Sequence, residues 1–139
     1  MKTFDVQSIE IKAPVGRAFD YIANVRNLPA WTQAFKSTRD GKAEMRTEKD
    51  AVEVDLRVTA SREYGTIDWA ITFPDGNVAT ACSRVVDNGP ASCVYSFVLT
   101  APPLPLEQLE GAIEQQSRIL REELERLREI HETSDAREA

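Results

Sequence analysis

Few side chains in this chain could carry out covalent or metal chemistry. There is one histidine, His131, there are two cysteines, Cys82 and Cys93, and the six glycines are dispersed. A nucleophilic serine needs a histidine beside it, and His131 lies in the charge-rich stretch REELERLREIHE, where a solvated side chain is expected. Two cysteines without further histidines give no metal-ligand set, and scattered glycines cradle no phosphate. No cofactor or metal is therefore expected, and no catalytic residue can be named. The paired acids Glu53 and Asp55 alternate with apolar residues and belong on an outer strand face.

Two polar residues stand out for the opposite reason. Arg84 lies among alternating apolar residues in CSRVVDNGPASCVYSF, residues 82–97. Gln116 interrupts an apolar stripe that otherwise runs through 106, 109, 113, 120, 124 and 127. A buried arginine or amide needs a partner, which can be an acid, a backbone group or a ligand.

The elements that must position them follow from periodicity. The chain has 139 residues, the size of one domain spanning 1–139. Residues 3–11 alternate as a strand. Val15, Ala18, Phe19 and Ile22 fall on one helical face behind Pro14, and a second short helix around Pro29 follows. Strands are predicted over 34–39, 43–49, 51–60, 66–73, 77–86 and 91–100, separated by turn residues. PPLP then stops the last strand, a long helix runs from Leu106 to about Ile130, and residues 132–139 read as a frayed tail.

The turns predict a register. A two-residue turn at Asp75-Gly76 pairs Trp69 with Cys82 and Ile67 with Arg84. A four-residue loop at 87–90 pairs Arg84 with Cys93 and Cys82 with Tyr95, and a four-residue loop at 62–65 pairs Val58 with Trp69. One face then carries Val52, Val54, Leu56, Val58, Ile67, Trp69, Ile71, Phe73, Val78, Cys82, Tyr95, Phe97 and Leu99, with Ser83 on the other. On that register the cysteines are diagonal neighbours, roughly 7–8 Å apart, beyond the usual disulfide span of about 4.4–6.8 Å. Two small buried thiols are expected, with Arg84 the lone charge on the apolar wall. One antiparallel sheet against one long helix is a two-layer α+β packing, and it turns Gln116 toward the same interior.

The stretch IEIKAPVGRAFDYIANVRNLPAWTQAF, residues 9–35, resembles the opening of the helix-grip superfamily. That group holds START-related lipid-transfer domains, the birch-pollen allergen and polyketide cyclases/dehydrases. The likeness lies in a strand, then Pro14, Phe19 and Tyr21-Ile22, then Asn27, Pro29 and Trp31, and in the order of elements to about residue 131. It implies a seven-stranded antiparallel sheet curved around the C-terminal helix, with a cavity for a hydrophobic small molecule between them. Trp69, Thr80, Cys82, Arg84, Tyr95, Phe97, Gln116 and Leu120 are the candidate lining residues.

Three functions are compatible with this. A non-catalytic carrier of a lipid-, sterol- or polyketide-like molecule, with Arg84 as polar anchor, ranks first. A polyketide cyclase/dehydrase-like enzyme ranks second, with Arg84, Tyr95 and Gln116 polarising carbonyls. A protein-interaction module with a filled core ranks third. The net charge of −6, with cations dispersed, argues against nucleic acid. No stretch reaches the roughly 20 apolar residues of a membrane span, and none resembles a signal peptide. A cytoplasmic location with reduced cysteines is expected. A homodimer seam along the charged helix is the lesser alternative to a solvated face.

Overall fold

The computed structural model describes residues 3–46, 50–100 and 112–138. Strand β1 (Phe4–Ile11) leads into α1 (Val15–Ala23), a 3-10 turn at Val25–Asn27 and the one-turn α2 (Leu28–Trp31). Six strands follow: β2 (Phe35–Arg39), β3 (Lys42–Arg46), β4 (Ala51–Ser61), β5 (Thr66–Thr72), β6 (Val78–Asp87) and β7 (Cys93–Thr100). Helix α3 (Ala112–Glu138) closes the chain, continuing past the end that periodicity predicts. The PPLP stop and the predicted first turn at Leu106 lie outside the described residues. Among the described residues, no helix is long and apolar enough to cross a membrane.

The strands form one open, curved antiparallel sheet in the order β1-β7-β6-β5-β4-β3-β2. This is the expected α+β helix-grip architecture. Helix α3 lies along β1, and Gln7 Nε2 donates to Ser117 O at 2.8 Å across that contact. Ala18, Phe19 and Ile22 are the buried face of α1, as their spacing requires. Leu120, Leu124 and Leu127 of α3 join Ile11, Ile67 and Tyr95 in one core.

The register of β4 and β5 is the expected one, with Leu56 opposite Ile71 and Val58 opposite Trp69. The loop between them is closed by Gly65 N donating to Ser61 O at 2.7 Å. At Gly65, φ is 75°, and an added Cβ would stand 2.3 Å from Val85 O, so only glycine fits.

The register of β5 and β6 differs from expectation by one residue. Pro74 takes the second position of the turn and left-handed Gly76 (φ 89°) the fourth. Gly76 N bonds Phe73 O at 2.9 Å, and Phe73 N bonds Asn77 O at 2.9 Å. The loop thus holds three residues, the arrangement in which a turn is followed by a left-handed bulge glycine. Trp69 faces Ala81 rather than Cys82, and Ile67 faces Ser83 rather than Arg84.

Every side chain of β6 consequently changes face. Ser83 and Val85 are buried and Ala79 and Ala81 half-buried, while Val78, Thr80, Cys82 and Arg84 are exposed. The β6–β7 loop is also longer than expected, pairing Asp87 with Cys93 and Val85 with Tyr95. Because that second shift is odd-numbered too, β7 keeps its predicted inner face of Cys93, Tyr95, Phe97 and half-buried Leu99. Both cysteines are free, but Cys82 is exposed and only Cys93 is the buried thiol expected of each.

His131 corrects another expectation. It is 4% exposed, its Nδ1 lies 3.0 Å from Leu127 O, and its ring meets Tyr21 edge-on at 5.0 Å between centroids. Position 131 continues the stripe of 120, 124 and 127 by one further helical turn, which takes it inside despite its charged neighbours. Glu53 and Asp55 do lie on the outer face, paired with Arg39 and Lys42.

Candidate functional site

Between the inner face of the sheet, α2 and α3 lies a cavity of about 570 Å³. The shifted register explains why it is open. Facing α3 at the middle of the sheet, β6 presents Ala79 and Ala81 instead of larger side chains, and neither reaches across the gap. Large residues surround this shallow strip: Trp31, Phe35, Met45, Trp69, Phe73 and Phe97.

The aromatic wall is cross-braced. Trp69 stacks on Phe97 with centroids 6.0 Å apart and planes 27° from parallel. Trp31 packs against Trp69 at 6.5 Å and edge-on against Tyr95 at 6.4 Å. Such pairs fix ring orientation beyond simple burial. The indole nitrogens of Trp31 and Trp69 are both buried without a hydrogen-bond partner among the described residues.

Polar groups come chiefly from α3. Gln116 and Glu123 both border the cavity, with Ile119 and Leu120 between them. Seven residues are two helical turns, so these two side chains share a face about 10 Å apart along the axis. Glu123 Oε2 accepts the Gln33 amide at 2.7 Å, and the Ala34 amide also favours the carboxylate. Adjacent Glu122 accepts from Gln33 Nε2 at 2.7 Å. Burial outweighs these donors and pushes the Glu123 carboxyl up to about 7, with the Glu122 charge adding to the rise.

Of the residues singled out from sequence, Trp69, Phe97, Gln116 and Leu120 border the cavity. Thr80 touches its edge from an exposed position. Tyr95 is fully buried behind Trp31 and Phe97 rather than bordering the space. Its phenol is pushed far up by burial, tempered by the Ser83 hydroxyl. That hydroxyl nevertheless gives its proton to Ile67 O at 2.6 Å, and the phenol oxygen makes no hydrogen bond of good geometry among the described residues.

Cys82 and Arg84 stand on the outer face. Arg84 Nε donates to Tyr64 O at 3.0 Å, so the arginine braces the β4–β5 loop instead of marking the inner wall. Glu123 was hidden within a charge run, although its spacing of seven from Gln116 carried the signal. Trp31 and Phe35 belong to the segment from α2 into β2, whose packing against the distant sheet centre no local period reveals.

Residues 4–96 match the family described as Domain of unknown function (DUF8713). Among curated proteins, none matches the sequence. Solved structures resemble the whole chain. The protein XoxI from Bacillus cereus is 13% identical with a TM-score of 0.69, over 94% of this chain and 96% of that one. A START superfamily protein from Mycobacterium smegmatis is 14% identical with a TM-score of 0.62, over 92% and 98%. The Zhui aromatase/cyclase from Streptomyces sp. R1128 is 10% identical with a TM-score of 0.65, over 93% of each chain. At these identities the likeness establishes the fold, which is the helix-grip fold of START and polyketide cyclase-like proteins.

Proposed function

We propose, for a chain that belongs to the family described as Domain of unknown function (DUF8713), that it binds and carries a hydrophobic small molecule between sheet and helix. The observation that carries this reading is the cavity itself. Its apolar wall is left uncovered by the protein's own side chains, and a bound apolar molecule would remove that surface from water. A space of about 570 Å³ lies within the range of small-molecule sites, roughly 300–1,000 Å³. Its walls are aromatic and aliphatic, with Gln116 and Glu123 as the principal polar groups, the combination that gives affinity from burial and orientation from few contacts. An interaction module with a filled core has no use for such a space.

The anchor differs from the one the sequence pointed to. Arg84 faces outward, and the polar partner offered to a ligand is Glu123. A second reading, a cyclase-like enzyme, gains from the same residue. A carboxyl raised to about 7 at the border of an apolar space can give or take a proton at working pH. The fold shared with an aromatase/cyclase is consistent with that chemistry. Carriage ranks first because no second acid–base group borders the cavity among the described residues.

Native mass spectrometry of gently purified protein, before and after organic extraction, tests the proposal. An added mass that extraction removes supports carriage and gives the ligand class. Bare protein that also binds no apolar probe in calorimetry defeats it. If a bound molecule is instead converted, and Glu123→Gln stops the conversion while retaining binding, the enzyme reading takes over.

A further inference from the structure

The electrostatics of the cavity narrow what can occupy it, given the carrier reading above. Among the described lining residues, Glu123 is the one ionisable side chain. No lysine or arginine pairs with it among the described residues. Its donors among the described residues are the backbone amides of Gln33 and Ala34. A carboxylate has about four acceptor positions, so two amides leave it able to accept more. Once Glu123 is ionised, above about pH 7, an anionic head group brought into this space would meet a like charge with no lysine or arginine among the described lining residues to offset it.

We infer that the ligand presents a hydrogen-bond donor, a hydroxyl or an ammonium, to Glu123, and that the site, once Glu123 is ionised, rejects carboxylate-bearing amphiphiles such as fatty acids. Gln116, two turns along the helix, can serve either polarity. The preferred molecule is therefore a neutral or cationic apolar skeleton. An arginine anchor such as Arg84 would imply the opposite preference in charge.

The test is calorimetric titration at about pH 8, where Glu123 is largely ionised, of four compounds on one skeleton: methylnaphthalene, naphthylmethanol, naphthylmethylamine and naphthoic acid. The alcohol and the amine should bind about tenfold more tightly than methylnaphthalene, the scale of a hydrogen bond to a charged group. The acid should bind more weakly than methylnaphthalene. In Glu123→Gln, the amine should lose about tenfold and the acid should gain. An acid that binds wild type as tightly as the alcohol overturns the inference while leaving carriage intact, and that comparison does not depend on the variant folding. Equal ranking in wild type and Glu123→Gln overturns it as well. Failure of all four to bind overturns the carrier reading, and this inference with it.

Discussion

The Gln33 amide donates to Glu123 Oε2 at 2.7 Å, joining the segment after α2 to the middle of α3 across 90 residues of sequence. That bond holds a carboxyl at the cavity wall, and the balance of burial and amide donation has a consequence for stability. The folded state raises this acid from 4.5 to about 7. Between those values the native protein holds a proton that the unfolded chain has released. The associated stability is complete below about pH 4.5 and is lost as pH rises through about 7, on the order of 3 kcal/mol. Melting wild type and Glu123→Gln at about pH 5 and about pH 8 isolates the effect, because other groups titrate alike in both. The wild type should lose more Tm at the higher pH than the variant; parallel losses would remove Glu123 as the cause.

Gly65 and Gly41 separate two costs of replacing glycine. Both have positive φ, 75° and 78°. A Cβ at Gly41 meets nothing within 4 Å, so Gly41→Ala should cost only the left-handed backbone penalty, about 1 kcal/mol. A Cβ at Gly65 would sit 2.3 Å from Val85 O, and Gly65 O also accepts from Val85 N at 2.8 Å. Moving this loop therefore disturbs β6 itself. Gly65→Ala should cost at least about 2 kcal/mol more than Gly41→Ala in urea denaturation. Equal midpoints would show that the loop relaxes freely.

The two thiols report the sheet's faces. Cys82 is exposed and free, and Cys93 is buried with its thiol pushed up to about 11, chiefly by burial. Iodoacetamide at about pH 8 should add one group to native protein and a second only after denaturation. The burial of Cys82 is lighter and Asp68 also raises it, so that alkylation should be slow compared with a free thiol. Rapid double labelling of native protein would contradict the placement of Cys93.

How far the sequence could be read depended on the range of each signal. Hydrophobic period located all seven strands, α1 and α3, since each is a local pattern. Register depended on turn chemistry, and there Pro74 decided the outcome. A two-residue hairpin at Asp75-Gly76 puts Pro74 at the first position of the turn, just past the predicted strand 66–73. The fixed φ of proline instead suits the second position of a turn, which makes the loop three residues long. That one residue turned Cys82 and Arg84 outward and Ser83 inward, and so removed the anchor that sequence suggested. Glu123 and His131 failed differently. Both sit in a run of charges that looks solvated, and only their steps of seven and four from Gln116 and Leu127 place them inside.

The shifted register also makes the cavity's width depend on β6, and Ala81 is where that can be tested. It stands opposite Trp69 and borders the space. Ala81→Leu would project an isobutyl group from the middle of the sheet toward α3, into volume that is now open. Filling it with apolar atoms should leave stability unchanged or raise it by about 1 kcal/mol, since no packed neighbour must move. Binding of an apolar probe should fall by at least about tenfold, because the leucine occupies the probe's place. Cys82→Leu, one residue along and on the outer face, should leave binding unaltered. Thermal melts and probe titrations on the two variants check both halves of the expectation. A folded Ala81→Leu protein that binds as tightly as wild type would mean that the ligand lies elsewhere. Loss of binding in Cys82→Leu, with Ala81→Leu unaffected, would instead restore the register that the two-residue turn implies.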